Sequence, residues 1–252
     1  MPFITLLTDF GTTDSYVAEI KGVLLSAAPD AVLVDVTHQV PPGDVRAGAY
    51  LLGRAWHRFP PGTTHLAVVD PGVGTSRAAL ALRAHGHWFV GPDNGLFTPV
   101  IRDTEVEITE LRIPRGASPT FHGRDLFAPA AAMLACGTPL QSLGRQFAST
   151  PHRLVYAEPH YEGKSVLGEF VYLDRFCTQV TNLNTDLVPP YATMEVEGLD
   201  LGPLRRTFGD VPTGGLLAYV GSDGAVEVAV RDGSAARRLG LGVGGRVRAR
   251  LG

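Results

Sequence analysis

Strand and helix signals alternate through the first half of the chain and give way to short β-rich runs in the second, and this predicts an α/β fold. An N-terminal, mainly parallel α/β sheet domain should span residues 1–155. A small C-terminal β-barrel-like domain should span residues 164–252. Two further observations support the split: Pro151–Gly163 reads as a connector, and helical periodicity is nearly absent beyond it.

Ile4–Thr8 is a short apolar run ending in Asp9-Phe10-Gly11, the first strand. Thr13 and Asp14 are N-cap candidates for a helix over Ser15–Ala28, whose apolar face is Val17, Ile20, Val23, Leu24 and Leu25 and which Pro29-Asp30 stops. Ala31–Val36 is a second buried strand. Asp44 can cap a helix over Val45–Arg58, closed by Pro60-Pro61-Gly62. His65–Val69 is a third strand and runs into Asp70-Pro71-Gly72. Polar residues just past the carboxyl ends of such strands sit where ligands bind, a position held by Asp9, by Asp35 or Thr37, and by Asp70. Pro114–Pro119 reads as a loop, and Asp125–Cys136 as a helix closed by Gly137. In the second half, Ser165–Leu173, Leu216–Gly221, Ala225–Val230 and Gly245–Leu251 read as strands. Ser222-Asp223-Gly224 is a turn, and Gly233–Leu239 a short helix. The β domain so defined has roughly 85 residues, within the usual domain range.

Composition narrows the function classes. The chain has 252 residues, 44% apolar and 19% charged, which suits a packed core and argues against disorder. A net charge of −3 gives no electrostatic case for nucleic acid or an anionic membrane. The two cysteines, Cys136 and Cys177, make no disulfide framework. The N-terminus lacks a basic segment and a signal-length apolar run, and no stretch is long enough to span a membrane. A cytoplasmic protein is therefore expected.

Four motifs invite chemistry. In Val69-Asp70-Pro71-Gly72-Val73-Gly74-Thr75-Ser76-Arg77, two glycines let the backbone turn tightly and bring Arg77 back toward Asp70. A plain turn with a surface ion pair explains it equally well. A phosphate cradle does not, because no Gly-Lys-Ser/Thr follows. Phe121-His122-Gly123-Arg124-Asp125 precedes a helix, and Asp125 near the helix dipole is its bland explanation. His122, in a Gly-containing loop, is less easily a core residue. Thr8-Asp9-Phe10-Gly11 offers a carboxylate suited to paired ribose hydroxyls, or else a capping turn. Asp174-Arg175-Phe176 and Thr181-Asn182 either face a ligand or close a hairpin. Gly91-Pro92-Asp93-Asn94-Gly95 is a turn by composition. His85-Gly86-His87 lacks a third ligand, so no metal site is expected.

Taken together and in this order, Asp9-Phe10-Gly11 with Asp14, Asp70-Pro71-Gly72-Val73-Gly74 with Arg77, Gly91-Pro92-Asp93-Asn94-Gly95, Phe121-His122-Gly123-Arg124-Asp125 and Asp174…Thr181-Asn182 resemble the S-adenosyl-L-methionine hydroxide adenosyltransferases. These are adenosine-forming hydrolases related to fluorinase and chlorinase. The resemblance covers nearly the whole chain and implies a SAM hydrolase with a catalytic set at Asp70, Arg77 and His122. It also implies ribose binding at Asp9, further substrate contact at Asp14, methionine contacts from Asp174 and Ser222, and Phe176 and Phe208 flanking the adenine. It implies a homotrimer with sites shared between subunits, a small-molecule substrate, and no cofactor. The family usually reads Phe-Gly-Asn where this chain has Phe176-Cys177-Thr178, which bears on how adenine is read at Thr178. In the expected mechanism Asp70 and His122 hold one water and take its proton, and Arg77 fixes the carboxylate. A halide-using 5′-halogenase on the same scaffold and a non-catalytic adenosine-binding module are the rival readings.

Overall fold

The computed structural model describes residues 1–102 and 104–252. It divides into two units, Met1–Leu154 and Val155–Gly252.

In the first unit the elements run β1 (Phe3–Thr8), α1 (Tyr16–Ala27), β2 (Val32–Thr37), α2 (Val45–Ala55), β3 (Thr64–Val68), β4 (Ala79–Ala84), β5 (His87–Pro92), α3 (Thr98–Ile101), β6 (Glu107–Leu111), α4 (Ala128–Ala135) and β7 (Gly144–Gln146). One sheet of seven strands results, in the order β2-β1-β3-β5-β4-β6-β7. The pairs β1–β2, β1–β3 and β3–β5 are parallel, whereas β4–β5, β4–β6 and β6–β7 are antiparallel. The α/β half is thus a parallel core of the sheet extended by an antiparallel edge. The β4–β5 hairpin turns at His85 and Gly86, both in the left-handed region at φ +51° and +77°. That turn accounts for the His85-Gly86 pair.

Helix α1 turns Ile20 and Leu24 inward, and both are fully buried against Ile4, Leu6, Leu66 and Val68. The Ala-rich α4 lies beside α1 on the same face, its small side chains permitting close approach. Truncating Leu24 to Ala here would cost about 2–5 kcal/mol. Helix α2 begins as read, with Asp44 Oδ1 accepting from the Ala47 amide at 2.9 Å, and its Gly48 packs against Val69. It stops at Ala55, and Trp56–Arg58 forms a tighter 3₁₀ turn. Two starts differ from expectation. Neither Thr13 nor Asp14 caps α1: the boundary residue is Ser15, whose hydroxyl donates to Glu19 at 2.7 Å, and Asp14 stands exposed. The helix expected from Asp125 begins as a π-turn over Gly123–Phe127 before α4, so Asp125 lies within the turn and does not cap it.

The second unit comprises β8 (His160–Glu162), β9 (Ser165–Leu173), β10 (Gln179–Asn184), β11 (Thr193–Val196), β12 (Leu199–Pro203), β13 (Leu216–Val220), β14 (Ala225–Val230), α5 (Ala235–Leu239) and β15 (Arg246–Arg250). All its ladders are antiparallel, in the order β12-β11-β15-β9-β10-β14-β13 with β8 on β9. Just past β12, Arg205 bridges Tyr219 of β13, which nearly closes the sheet into a barrel. Phe170, Leu183, Met194, Val226, Val228 and Val247 fill its interior. Among the described residues, no helix is long and apolar enough to cross a membrane.

Candidate active site

Strand β3 ends one residue before Val69-Asp70, and the end is pinned: Asn94 Nδ2 donates to the Val69 carbonyl at 2.8 Å. From Asp70 the chain turns back on itself, with the Val73 amide on the Asp70 carbonyl at 3.2 Å and the Thr75 amide on the Gly72 carbonyl at 3.1 Å. Gly74 sits at φ +78°, and a Cβ there would meet the Pro119 carbonyl oxygen at 2.7 Å. Both the conformation and the close approach require glycine. That approach lays the 70–77 turn against the loop carrying His122.

The result is one hydrogen-bonded group. Arg77 Nε donates to both Asp70 carboxylate oxygens at 3.0 Å, and its Nη2 donates to Asp70 Oδ2 as well. The same Nη2 reaches His122 Nδ1 at 2.9 Å. The Arg77 guanidinium also lies over the Phe127 ring, 5.2 Å from its centroid. This is no surface ion pair: the Asp70 and Arg77 side chains are 5% and 9% exposed, and His122 is 4% exposed. Arg77 Nη1 is buried with no hydrogen-bond partner, a donor suited to a ligand oxygen.

Charge states follow from these contacts. Burial lowers the His122 pKa, and the Arg77 charge lowers it further, against the opposing pull of Asp70 and Asp125. An arginine only donates, so His122 Nδ1 accepts and Nε2 carries the ring proton. The imidazole is therefore not free to take a proton from water, contrary to the expected shared-base role; it offers a donor. Asp9, at the end of β1, accepts from the Gly43 amide at 2.8 Å. Burial raises its pKa, and the Asp70 charge adds to the rise. Asp35 lies within β2 and is engaged by Lys21 at 2.6 Å and His38 at 3.1 Å, so it belongs to the scaffold. Arg124 is held by Glu19 and Asp125, while Asp125 accepts from the Ser118 amide at 2.8 Å, bracing the loop that carries His122.

The second unit has a cleft of about 700 Å³ whose lining includes Asp174, Phe176, Thr178, Phe208, Tyr219 and Arg231. Four residues named from the sequence thus share one cavity. Asp174 Oδ1 accepts the amides of Phe176 at 2.9 Å and Thr178 at 2.8 Å, which folds the loop around itself. Phe176 projects, 79% exposed, and Phe208 is 42% exposed, whereas Thr178 is 3% exposed. Ser222 is exposed in the β13–β14 turn and lies outside this lining. Thr181 and Asn182 serve the sheet. Thr181 Oγ1 donates to the Val226 carbonyl at 2.7 Å, and Asn182 Oδ1 accepts from the Glu169 amide at 2.8 Å.

Three contributors escape a reading by residue type. The Gly43 amide acts through its backbone, Asn94 sits in a segment that composition marks only as a turn, and Tyr219 lies in an ordinary strand pattern. Its phenol donates to Glu227 on the neighbouring strand, a pairing set by cross-strand register.

Residues 4–144 match the model of the SAM hydroxide adenosyltransferase N-terminal domain, and residues 168–248 that of the C-terminal domain. The chain is 46% identical to a protein of Thermus thermophilus named (R)-S-adenosyl-L-methionine hydrolase, covering 97% of this chain and 98% of that one. It is 31% identical to a fluorinase of Nocardia brasiliensis, over 100% and 97% of the two chains. Among solved structures, an uncharacterized conserved protein from Thermotoga maritima superposes with a TM-score of 0.90 at 37% identity, covering 98% of this chain and 99% of that chain.

Proposed function

The chain belongs to the SAM hydroxide adenosyltransferase family, and from that premise we propose that it hydrolyses S-adenosyl-L-methionine to adenosine and L-methionine. The observation that carries this is the buried Asp70–Arg77–His122 group. The hydrolase relatives' names specify the (R) sulfonium epimer, which is the substrate form we assign here.

The reaction forms a C5′–O bond and breaks C5′–S, whose electron pair stays on sulfur; one proton is released. A sulfonium leaves readily, so the difficulty lies in the nucleophile. Asp70 keeps lone pairs beyond those Arg77 engages and accepts the water proton. His122 Nε2–H donates to the same oxygen and aims it. General-base help of this kind is worth about 10²- to 10⁴-fold, and positioning supplies the larger share. Asp9 holds the ribose hydroxyls. Phe176 and Phe208 flank the adenine, Asp174 and Ser222 meet the methionine, and Asp14 and Thr178 border the substrate. These roles need no metal or redox cofactor.

We further propose a homotrimer with each site shared between subunits. An aromatic side chain as exposed as Phe176 suits covering by a second copy. Light scattering giving only monomer at full activity would refute it. Two free cysteines fit a reducing, cytoplasmic setting.

Turnover in ¹⁸O-water, read by mass spectrometry, tests the function: one solvent oxygen should appear in the adenosine. A 5′-chloro product in excess chloride would instead indicate a halogenase. Bound adenosine without turnover would indicate a sensor.

A further inference from the structure

Tyr219 lines the second unit's cleft, and two independent contacts meet on it. Its ring lies 4.9 Å from that of Phe208, tilted by 55°. Its hydroxyl donates to Glu227, which is 8% exposed. Burial and the Glu227 contact push the phenol pKa up, so the group stays a donor throughout the physiological range. Phe208 and Thr178 line the same cleft.

We propose that Tyr219 is a positioning residue for the purine: anchored by Glu227, it fixes the Phe208 ring against which the base stacks. This rests on the adenosine-binding reading above. Through Tyr219, Phe208 is tied to the nearly buried Glu227 carboxylate. A base enters between Phe208 and Phe176. Phe176 is largely exposed, so Phe208 is the wall whose angle can be set from within the unit. Aromatic stacking is sensitive to ring offset and tilt. Loss of the hydroxyl therefore weakens base binding without touching the Asp70 group.

The test is Tyr219→Phe, which keeps the ring and removes only the oxygen. Adenosine Kd and substrate KM should rise about tenfold, the usual consequence of losing one buried hydrogen bond. The loss should fall in KM and not in kcat, a split that general destabilisation would not produce. Unchanged Kd and KM, or a fall in kcat with Kd intact, would overturn the proposal. If Tyr219→Phe fails to melt cooperatively, Glu227→Gln decides: it weakens the anchor while keeping its shape and should raise Kd about threefold, and an unchanged Kd overturns the proposal. The unmodified protein serves as control in every arm. If it neither binds nor forms adenosine, the proposed function fails; if it does both, only the role of Tyr219 is at stake.

Discussion

His122 meets Arg77 through Nδ1, 2.9 Å from the guanidinium Nη2, so the imidazole is neutral and points its N–H away from the arginine. Protonating Nδ1 would set two donors and two positive charges against each other. Burial and Arg77 both hold the His122 pKa below the ordinary histidine value. Activity should therefore be retained as pH falls through about 6.5 and be lost only lower, as His122 takes up a proton. A kcat/KM profile checks this. An acid limb at or above 6.5 would contradict the neutral-donor assignment.

Alanine at Asp70, Arg77 or His122 should cut kcat by about 10²-fold or more, the range for a lost acid–base or electrostatic partner. Adenosine binding should survive, because none of the three is assigned to base or ribose. Asp9→Ala should do the reverse, raising the adenosine Kd while its direct effect on the chemical step stays small. Calorimetric titration beside single-turnover kinetics separates the two patterns. Full turnover in Asp70→Ala would remove the proposed base.

A buried chain at the far end of β3 predicts acid sensitivity of the fold. Thr5 Oγ1 lies 2.8 Å from His65 Nδ1, and His65 Nε2 lies 3.2 Å from His87 Nδ1. His65 is 0% exposed, and burial, aided by His87, lowers its pKa to about 3. A histidine whose folded pKa is depressed contributes stability that is present above its unfolded value and is lost as pH falls toward the folded one. Stability should thus decline from about pH 6.5 downward, by on the order of 2–3 kcal/mol by pH 4.5 from this group alone. Urea unfolding at pH 7 and 4.5 would show it. A His65→Gln variant should have a shallower slope, and an unchanged slope would assign the acid response elsewhere.

The α/β frame was legible because β1, β2, β3, α1 and α2 carry clean periodicity and end in Asp, Pro or Gly. The edge strands β4, β6 and β7 were not, since their character depends on a neighbour that sequence does not name; Arg83 and Glu107 face one another only after pairing. The same limit applies to the site. Asp70 and Arg77 are seven residues apart in one turn and can be paired on paper, but His122 joins them only because Gly74 lets Pro119 approach. Asp14 and Ser222 could be named only by resemblance. The structure leaves both exposed, outside the hydrogen-bonded group and the cleft lining respectively.

The departure at Cys177-Thr178 has two separable consequences. Cys177 lies at φ +62°, a left-handed conformation that costs a side-chain-bearing residue about 1–2 kcal/mol relative to glycine. The loop enforces it: the Cys177 amide donates to the Asp174 carbonyl at 3.0 Å, and the Cys177 carbonyl accepts from Ala235 at 3.1 Å. Cys177→Gly should therefore raise the melting temperature by a few degrees. Thr178 governs base choice. It carries a single hydroxyl, and a β-branched side chain 3% exposed has little freedom to span a purine edge. An Asn at the same position would offer a donor and an acceptor together. The native protein should accordingly distinguish adenosine from inosine weakly, within about tenfold in Kd. The Cys177→Gly, Thr178→Asn double variant should distinguish them more strongly, by the value of an added edge hydrogen bond. Titrating both nucleosides into both proteins decides it. If the native chain already rejects inosine as firmly as the double variant, another group reads the base, and position 178 has no part in that choice.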